Sequence, residues 1–541
     1  MKRHEFIFLG AVYLLGLYLR LGPRLEIDPH QLTFQGDIWY RLCMAQAILD
    51  NHTLPDPDIR YLAYGCVPMW YPPLSPMLFA FGSYITSFDI ATFSSRVVPF
   101  FEAATPLSLY PLARYLYSER VAVVSTTVLA MTPSFVFWSG ISDPQSFTLF
   151  IIPLLVAGWI WHSKQKQDNM RLLAFGVVLG VNFLMHLSYF ITLIILLTTT
   201  LALVINREAK RVLFLDLLKI ILVSQVITAL WWLPKNLYWW WINALVTSSG
   251  MYGAVRHLSE YGIVTASLGI LAFLYISHGY LLRHRLRHLI LILWAIPLFI
   301  ETQNESIIGL LSKVDPGLYN TLEWSTLGKP LEGFRFYCFL AQPLAIAIGV
   351  LVADISNVVE RYKRNVGIIA VAILVLGLAW GLHDYNYDVK LQTSGITPGE
   401  YAAAEWYKEN SDPSDRIIAD YYRAQMFGGV NGGRALLGGM FPLRNVDYPY
   451  ILAPGQVQDD LYTLYKTESP QEASMLAKRY GATHIFYSDN MVRYGNLLSY
   501  KKPAAEYGID INTEKFENAE FFEYVYEENS PYGKLYIVLV K

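Results

Sequence analysis

Long apolar runs separated by short charged clusters fill the chain from residue 5 to about residue 382, near 5-21, 94-116, 121-139, 146-161, 172-188, 190-206, 213-234, 263-283, 288-301, 335-354 and 366-382. Runs of this length match the roughly 30 Å of hydrocarbon that a helix must cross, so the pattern predicts about 11–13 transmembrane helices. Beyond residue 385 the pattern changes: Pro, Gly, Asp and Glu return, and no apolar run is long enough to span. Arg416–Ala419, Thr483–Tyr487 and Leu535–Val540 read as strands, while Glu400–Glu409 and Ser469–Arg479 read as helices. The prediction is a polytopic α-helical membrane protein with a transmembrane region over 1-384, a long first outer loop over 22-93 and a small extracytoplasmic α/β domain over 385-541.

Composition agrees with that class. The 541 residues are 54% hydrophobic and 16% charged, with a mean hydropathy of +0.31. A net charge of -2 and no basic face exclude nucleic acid as an expected partner. The three cysteines, Cys43, Cys66 and Cys338, form no zinc or cluster spacing; Cys43 and Cys66 share one loop, where a disulfide and two thiols are both open readings. Arg20 and Arg24 stand where a signal-peptide cleavage site would need small residues, so the first run is expected to be retained as a span.

The loop charges orient the spans. Lys2/Arg3, Arg114/Arg120, Lys164/Lys166/Arg171, Arg207/Lys210/Arg211, Arg283/Arg285/Arg287 and Arg361/Lys363/Arg364 fall in alternate loops if the N-terminus is cytoplasmic. This requires Pro73 to Ile85 to be a re-entrant or interfacial helix that does not cross. Asp37, Asp143, Glu260, Arg335 and the C-terminal domain then share the extracytoplasmic side of a cell membrane.

That side collects the candidate chemistry. Asp37, in Gly36-Asp37-Ile38-Trp39-Tyr40-Arg41, follows the first span directly. A carboxylate at the bilayer surface with a nearby arginine suits a lipid phosphate or its metal ion. Asp143, in the short Ser142-Asp143-Pro144-Gln145 loop, is placed to join it, although an Asp before Pro is also an ordinary helix cap. Glu260, in His257-Leu258-Ser259-Glu260, reads alone as a loop charge, and Arg335 as a phosphate clamp or a snorkelling side chain. The Trp231-Trp232 and Tyr238 to Trp241 stretch reads as an interfacial aromatic belt, and the lone His186 as a packed histidine.

The order of these parts resembles the catalytic subunits of oligosaccharyltransferases, within the C-type (GT-C) membrane glycosyltransferases that use lipid-phosphate sugars. The shared pattern is an acid after the first span, an amphipathic first loop, a Pro-containing span (Met131-Thr132-Pro133) ending in an acidic loop, a later Ser-x-x-Glu-like acid, an Arg-Phe span (Phe334-Arg335-Phe336) and an outer C-terminal domain. Gly36-Asp37-Ile38-Trp39-Tyr40, Trp70-Tyr71-Pro72-Pro73 and Leu331 to Tyr337 are also similar to archaeal and bacterial members of that superfamily.

The resemblance implies Asp37, Asp143 and Gln145 as ligands of a divalent cation, Mg²⁺ or Mn²⁺, with Asp37 and Glu260 as catalytic carboxylates. It also implies Arg335, Arg41, Asp420 and Tyr421 as contacts for donor or acceptor, and a polyprenyl (pyro)phosphate-linked sugar as the donor. The acceptor would be an extracytoplasmic protein, lipid or glycan. The chain departs from the pattern twice: Gln145 replaces the second acid of the short loop, and Ile418-Ala419-Asp420-Tyr421-Tyr422 keeps only Asp-Tyr of the Trp-Trp-Asp-Tyr-Gly acceptor motif. A polytopic transporter or flippase and a catalytically inactive GT-C homologue are the alternative readings. Acids gathered on one face, away from the bilayer midplane, argue against transport.

Overall fold

The computed structural model describes residues 3–25, 36–54, 71–140, 144–165, 168–186, 188–206, 212–233, 261–302, 333–360, 376–379, 396–412, 414–431, 436–437, 463–494 and 513–541, with the isolated positions 29, 142, 382, 460, 461 and 511. Asp143, Glu260, Cys66, the aromatics from Tyr238 to Trp241 and most of the expected span at 366-382 lie outside the described residues, as do the side chains of Asp37, Arg335 and Tyr421.

In chain order the helices begin with α1 (Arg3–Leu25), α2 (Gly36–Asn51), α3 (Leu74–Thr86), α4 (Ile90–Thr92), α5 (Val98–Glu102) and α6 (Leu109–Leu116). They continue with α7 (Glu119–Ala130), α8 (Pro133–Trp138), α9 (Gln145–Ser163), α10 (Asn169–Met185), α11 (Tyr189–Ile205) and α12 (Val212–Trp232). α13 (Ile263–Arg283), α14 (Leu286–Thr302) and α15 (Gly333–Glu360) follow, then α16 (Pro398–Asn410), α17 (Tyr421–Asn431), α18 (Pro470–Arg479) and α19 (Asp489–Tyr494). The strands are β1 (Ile417–Ile418), β2 (Leu436–Leu437), β3 (His484–Ser488), β4 (Phe522–Ser530) and β5 (Gly533–Val540).

The chain forms two compact units. The first takes its described residues from 1–23, 97–234 and 253–391, and the second from 24–96 and 392–541. The first loop is therefore built into the same body as the C-terminal region.

In the first unit, α1, α9, Val212–Ala229 of α12, α13 and Phe336–Val359 of α15 are long and apolar enough to cross a bilayer, which makes the chain a multi-pass membrane protein. Two stretches expected as single spans are broken. Residues 94-116 run through a π-turn (Phe93–Val97), α5, a 3₁₀ turn (Thr105–Ser108) and α6. Residues 121-139 divide into α7 and α8 at Met131-Thr132. Prolines explain both breaks: Pro99, Pro106 and Pro133 each sit in the first two positions of a new helical segment, where the missing N–H costs nothing and the ring cannot clash with a preceding turn. The most buried span is α15. It reaches α7 closely because Gly349 has no side chain; a Cβ there would lie 2.9 Å from the Val121 carbonyl.

In the second unit, α3 has 13 residues and is about 20 Å long, too short for a bilayer core. It buries Phe79, Ala80 and Ser83 and exposes Met77, Leu78, Phe81, Tyr84 and Ile85. The sheet has the order β2-β1-β3-β5-β4. β1 runs parallel to β2 and β3, while β5 is antiparallel to both β3 and β4. β3 is buried along its whole length and its Phe486 packs edge-on to Phe427 of α17, with ring centroids 5.1 Å apart. β4 alternates with many exposed positions and is bulged between Tyr524 and Tyr526, as suits a charged edge strand. α16 starts with a complete capping box between Thr397 and Glu400. α2 lies against α17, where Gly429 touches the Trp39 ring so closely that a Cβ would come within 2.7 Å.

His484 opens β3, buried, its ring edge-on to Tyr407 at 5.1 Å. Burial holds its pKa below the ordinary value, with Asp415 acting weakly in the opposite sense. The folded protein therefore keeps this ring neutral where the unfolded chain begins to bind a proton, near pH 6.5. Its contribution to stability is present above that pH and lost as pH falls. The melting temperature of the second unit, followed by tryptophan fluorescence in detergent, is expected to fall from pH 7 to pH 5 in the native protein, and to fall less in His484→Phe.

Candidate functional site

The predicted site residues divide between the two units. Asp37 is the second residue of α2, in the second unit, and the following turn buries Ile38 and Trp39 among apolar neighbours. Four residues on, Arg41 is buried. Its guanidinium donates to the Tyr71 hydroxyl at 3.0 Å and stands 5.4 Å from that ring's centroid. The arginine thereby joins the Asp37 helix to the Tyr71-Pro72-Pro73 segment that leads into α3, a contact that combines charge with a π face. Beside α2 opens a cavity of about 500 Å³, lined among others by Trp39, Gln46, Asp89, Tyr401, Glu405 and Gly429.

Asp420 stands just before α17. Its Oδ1 accepts the Arg423 backbone N–H at 2.9 Å and its Oδ2 accepts from Arg423 Nη1 at 3.2 Å. Arg423 also donates to both oxygens of Glu400, from Nε at 3.0 Å and Nη2 at 3.4 Å. Glu400 further accepts from the Ser488 hydroxyl, from Asn490 Nδ2 at 3.1 Å and from its own capping box. All three charges are fully or almost fully buried. Burial disfavours the charge on Arg423, but the two carboxylates outweigh it and raise its pKa. This triad ties α16, α17 and β3 together, so Asp420 has a structural task whatever else it does.

In the first unit, Gln145 is the first residue of α9 and is completely buried. Its amide nitrogen donates to Cys338 Sγ of α15 at 2.8 Å, and one helical turn further on in α15 Gln342 donates to the Leu149 carbonyl at 2.7 Å. With the nitrogen turned to sulfur, the amide oxygen is the end suited to a hard cation. Arg335 lies in the first turn of the same α15. Further along the bundle, Thr148, Asn182 and Thr192 form a buried chain of hydrogen bonds of 2.7 and 2.9 Å, and His186 is hydrogen-bonded to Ser188.

Two charges that sequence reasoning passed over flank the turn before Gln145. Arg20 of α1 donates to the Ser139 carbonyl at 3.3 Å and to the Ser139 hydroxyl. Glu102, the last residue of α5, accepts the Ser142 backbone N–H at 2.7 Å. Both are buried. The available signal was an ionisable residue inside an apolar run, which rarely lacks a task.

Among the described residues no three His, Cys, Asp or Glu side chains are grouped to hold a metal ion. The implied donors, Asp37, Asp143 and the Gln145 amide oxygen, are all hard oxygen ligands of the kind Mg²⁺ and Mn²⁺ prefer. The buried orientation of Gln145 fits such a ligand.

No protein-family model and no curated protein matches the chain. Solved structures do. The archaeal oligosaccharyltransferase AglB from Archaeoglobus fulgidus, in complex with an inhibitory peptide and a dolichol-phosphate, superposes with a TM-score of 0.67 at 14% identity, over 99% of this chain and 74% of that one. The same enzyme tethered to an acceptor peptide containing an NVT sequon gives 0.63 at 14% identity over the same shares. ArnT from Cupriavidus metallidurans bound to undecaprenyl phosphate gives 0.59 at 11% identity, over 99% of this chain and 98% of that one. At these identities the likeness shows the fold alone, the GT-C fold that this chain shares with AglB and ArnT.

Two substitutions separate the structural task of Asp420 from any other. Arg423→Met leaves two buried carboxylates uncompensated and is expected to cost about 3–5 kcal/mol of stability, seen as loss of the folded second unit in thermal unfolding. Asp420→Asn keeps the helix cap and the Arg423–Glu400 pair, and is expected to shift the melting temperature far less.

Proposed function

We propose that this chain is an integral-membrane glycosyltransferase that moves a sugar or oligosaccharide from a polyprenyl phosphate or pyrophosphate carrier to an extracytoplasmic acceptor. The observation that carries the reading is the fold. AglB and ArnT differ in length, and both were solved with a polyprenyl-type phosphate. Their common element is the lipid-phosphate group, which supports a lipid-linked donor, and the peptide tethered to AglB is one model for the acceptor.

Asp37 is the second residue of α2, in the unit that contains the C-terminal sheet. The alternating basic loops support a cytoplasmic N-terminus, which puts Asp37, Asp143, Glu260 and the second unit on the extracytoplasmic side. The exposed apolar face of α3 supports an interfacial position for that helix.

In the reaction the acceptor nucleophile forms a bond to the anomeric carbon while the bond from that carbon to the carrier phosphate breaks, the electron pair leaving with the phosphate. Asp37 or Glu260 orients the nucleophile and takes its proton. Arg335 binds donor phosphate or acceptor through its guanidinium. A divalent cation held by Asp37, Asp143 and Gln145 supplies, when bound, positive charge for the departing phosphate. Arg41 keeps α2 in place through Tyr71.

The test is consumption of a polyprenyl-linked sugar by purified protein with added Mg²⁺ or Mn²⁺, with product analysis naming the acceptor. Asp37→Ala is expected to lower transfer at least a hundredfold while the protein remains inserted and melts normally. Undiminished transfer by that variant overturns the reading.

A further inference from the structure

In the second unit, the cavity of about 500 Å³ beside α2 has a size that takes a drug-sized ligand and exceeds a single side chain. Helical spacing builds its walls. On α2, Trp39, Leu42 and Gln46 recur at the interval of one helix face, and on α16 so do Tyr401, Glu405, Lys408 and Glu409. Gly429 of α17 lets the third wall close on the Trp39 ring, where a Cβ would come within 2.7 Å. Asp89 completes the rim as the N-cap of α4, accepting the Thr92 N–H at 2.8 Å. None of these side chains has a part in the transfer chemistry above.

The lining divides by polarity. Trp39, Leu42, Ile90 and Ala91 are buried, whereas Asp89, Glu405, Lys408 and Glu409 are exposed around them. Three carboxylates thus accompany one ammonium, and where the lysine neutralises one of them two remain. Such an excess selects a cation. A bare metal ion would leave the apolar floor unused, and a neutral sugar would leave the charge unused; Trp39, 2% exposed, also offers a sugar no open ring to lie on. A lysine or arginine side chain uses both parts, its methylenes against apolar surface and its charge at the rim. Trp39 adds a further condition: among the described residues its indole N–H has no hydrogen-bond partner. A peptide carbonyl is an acceptor for such a donor, and a protonated amine is not.

We propose that this cavity binds a lysine or arginine side chain presented by a polypeptide. The charged head lies at Glu405 and Glu409, the methylenes lie over the buried apolar floor, and the room beyond one side chain takes the adjoining backbone. The site stands without the transfer reading; under that reading it holds a polypeptide on the unit that carries Asp37.

The test is a ligand-observed NMR titration of the purified full-length protein in uncharged detergent. The probes are an N-acetylated, C-amidated pentapeptide with one lysine among glycines, its norleucine counterpart, n-butylamine and maltose. The lysine peptide is expected to bind about tenfold more tightly than the norleucine peptide, and n-butylamine more weakly than the lysine peptide. In Glu405→Gln/Glu409→Gln, at two exposed positions, the lysine peptide is expected to lose about five- to tenfold, the size of two solvent-facing ion pairs. The norleucine peptide and the melting temperature are expected to stay unchanged in that variant. No binding of the lysine peptide, equal binding of the lysine and norleucine peptides, or native affinity for the lysine peptide in the double variant overturns the proposal. Maltose binding in place of the lysine peptide makes the cavity a glycan site, and n-butylamine matching the peptide removes the polypeptide; each overturns it too. If the double variant melts lower, the native protein decides: an affinity for the lysine peptide that does not fall with rising salt overturns the proposal.

Discussion

Hydrocarbon offers no hydrogen bonds, and the first unit is organised by that constraint. A polar group inside a membrane bundle must find its partner within the protein. Arg20 finds Ser139 and Gly16, Glu102 finds Ser142, Gln145 finds Cys338, and Asn182 finds Thr148 and Thr192. None of these contacts lies within a regular helix ladder. All but the Arg20–Gly16 contact, which stays within α1, tie a helix to another helix or to a turn, so the same pairings that make the charges tolerable also fix where the helices break. The turn before α9 is therefore more closely specified than its short, Gly-containing sequence suggests.

The broken spans show where reading from the sequence stops. Hydropathy measures how apolar a stretch is, and it rated residues 94-116 and 121-139 as continuous. Pro99, Pro106 and Pro133 were visible in those stretches, but a proline in a span can kink, end or restart a helix, and neighbouring helices decide which. The regular spans α1, α9, α12, α13 and α15 were legible because length and apolarity suffice for them. In the second unit, β3, β5 and α18 were legible as the runs Thr483–Tyr487, Leu535–Val540 and Ser469–Arg479. β4 did not, because its Glu-rich edge reads as a loop until β5 is seen beside it.

For the candidate site the sequence offered residues and roles, and the fold adds partners that it could not show. Position along the chain and the resemblance to a family picked out Asp37, Asp143, Glu260 and Arg335, and gave them roles. Neither could reveal Glu102, whose relation to Ser142 spans 40 residues. Nor could they show that Asp420 belongs to a buried triad with Arg423 and Glu400, since a carboxylate that binds a ligand and one that anchors a fold have the same letter. What distinguishes them is burial and partnership, which are properties of the folded chain.

The packing of α2 on α17 has a consequence in time. Trp39 belongs to α2 and Gly429 to α17, so 390 residues separate the Trp39 ring from the Gly429 that receives it. At synthesis rates of about 5–20 residues per second, α2 leaves the ribosome roughly 20–80 s before its partner exists. Throughout that interval Trp39, Leu42 and Cys43, buried in the finished protein, lack the surface that covers them. The helix that carries Asp37 therefore gains this packing only when almost the whole chain has been made.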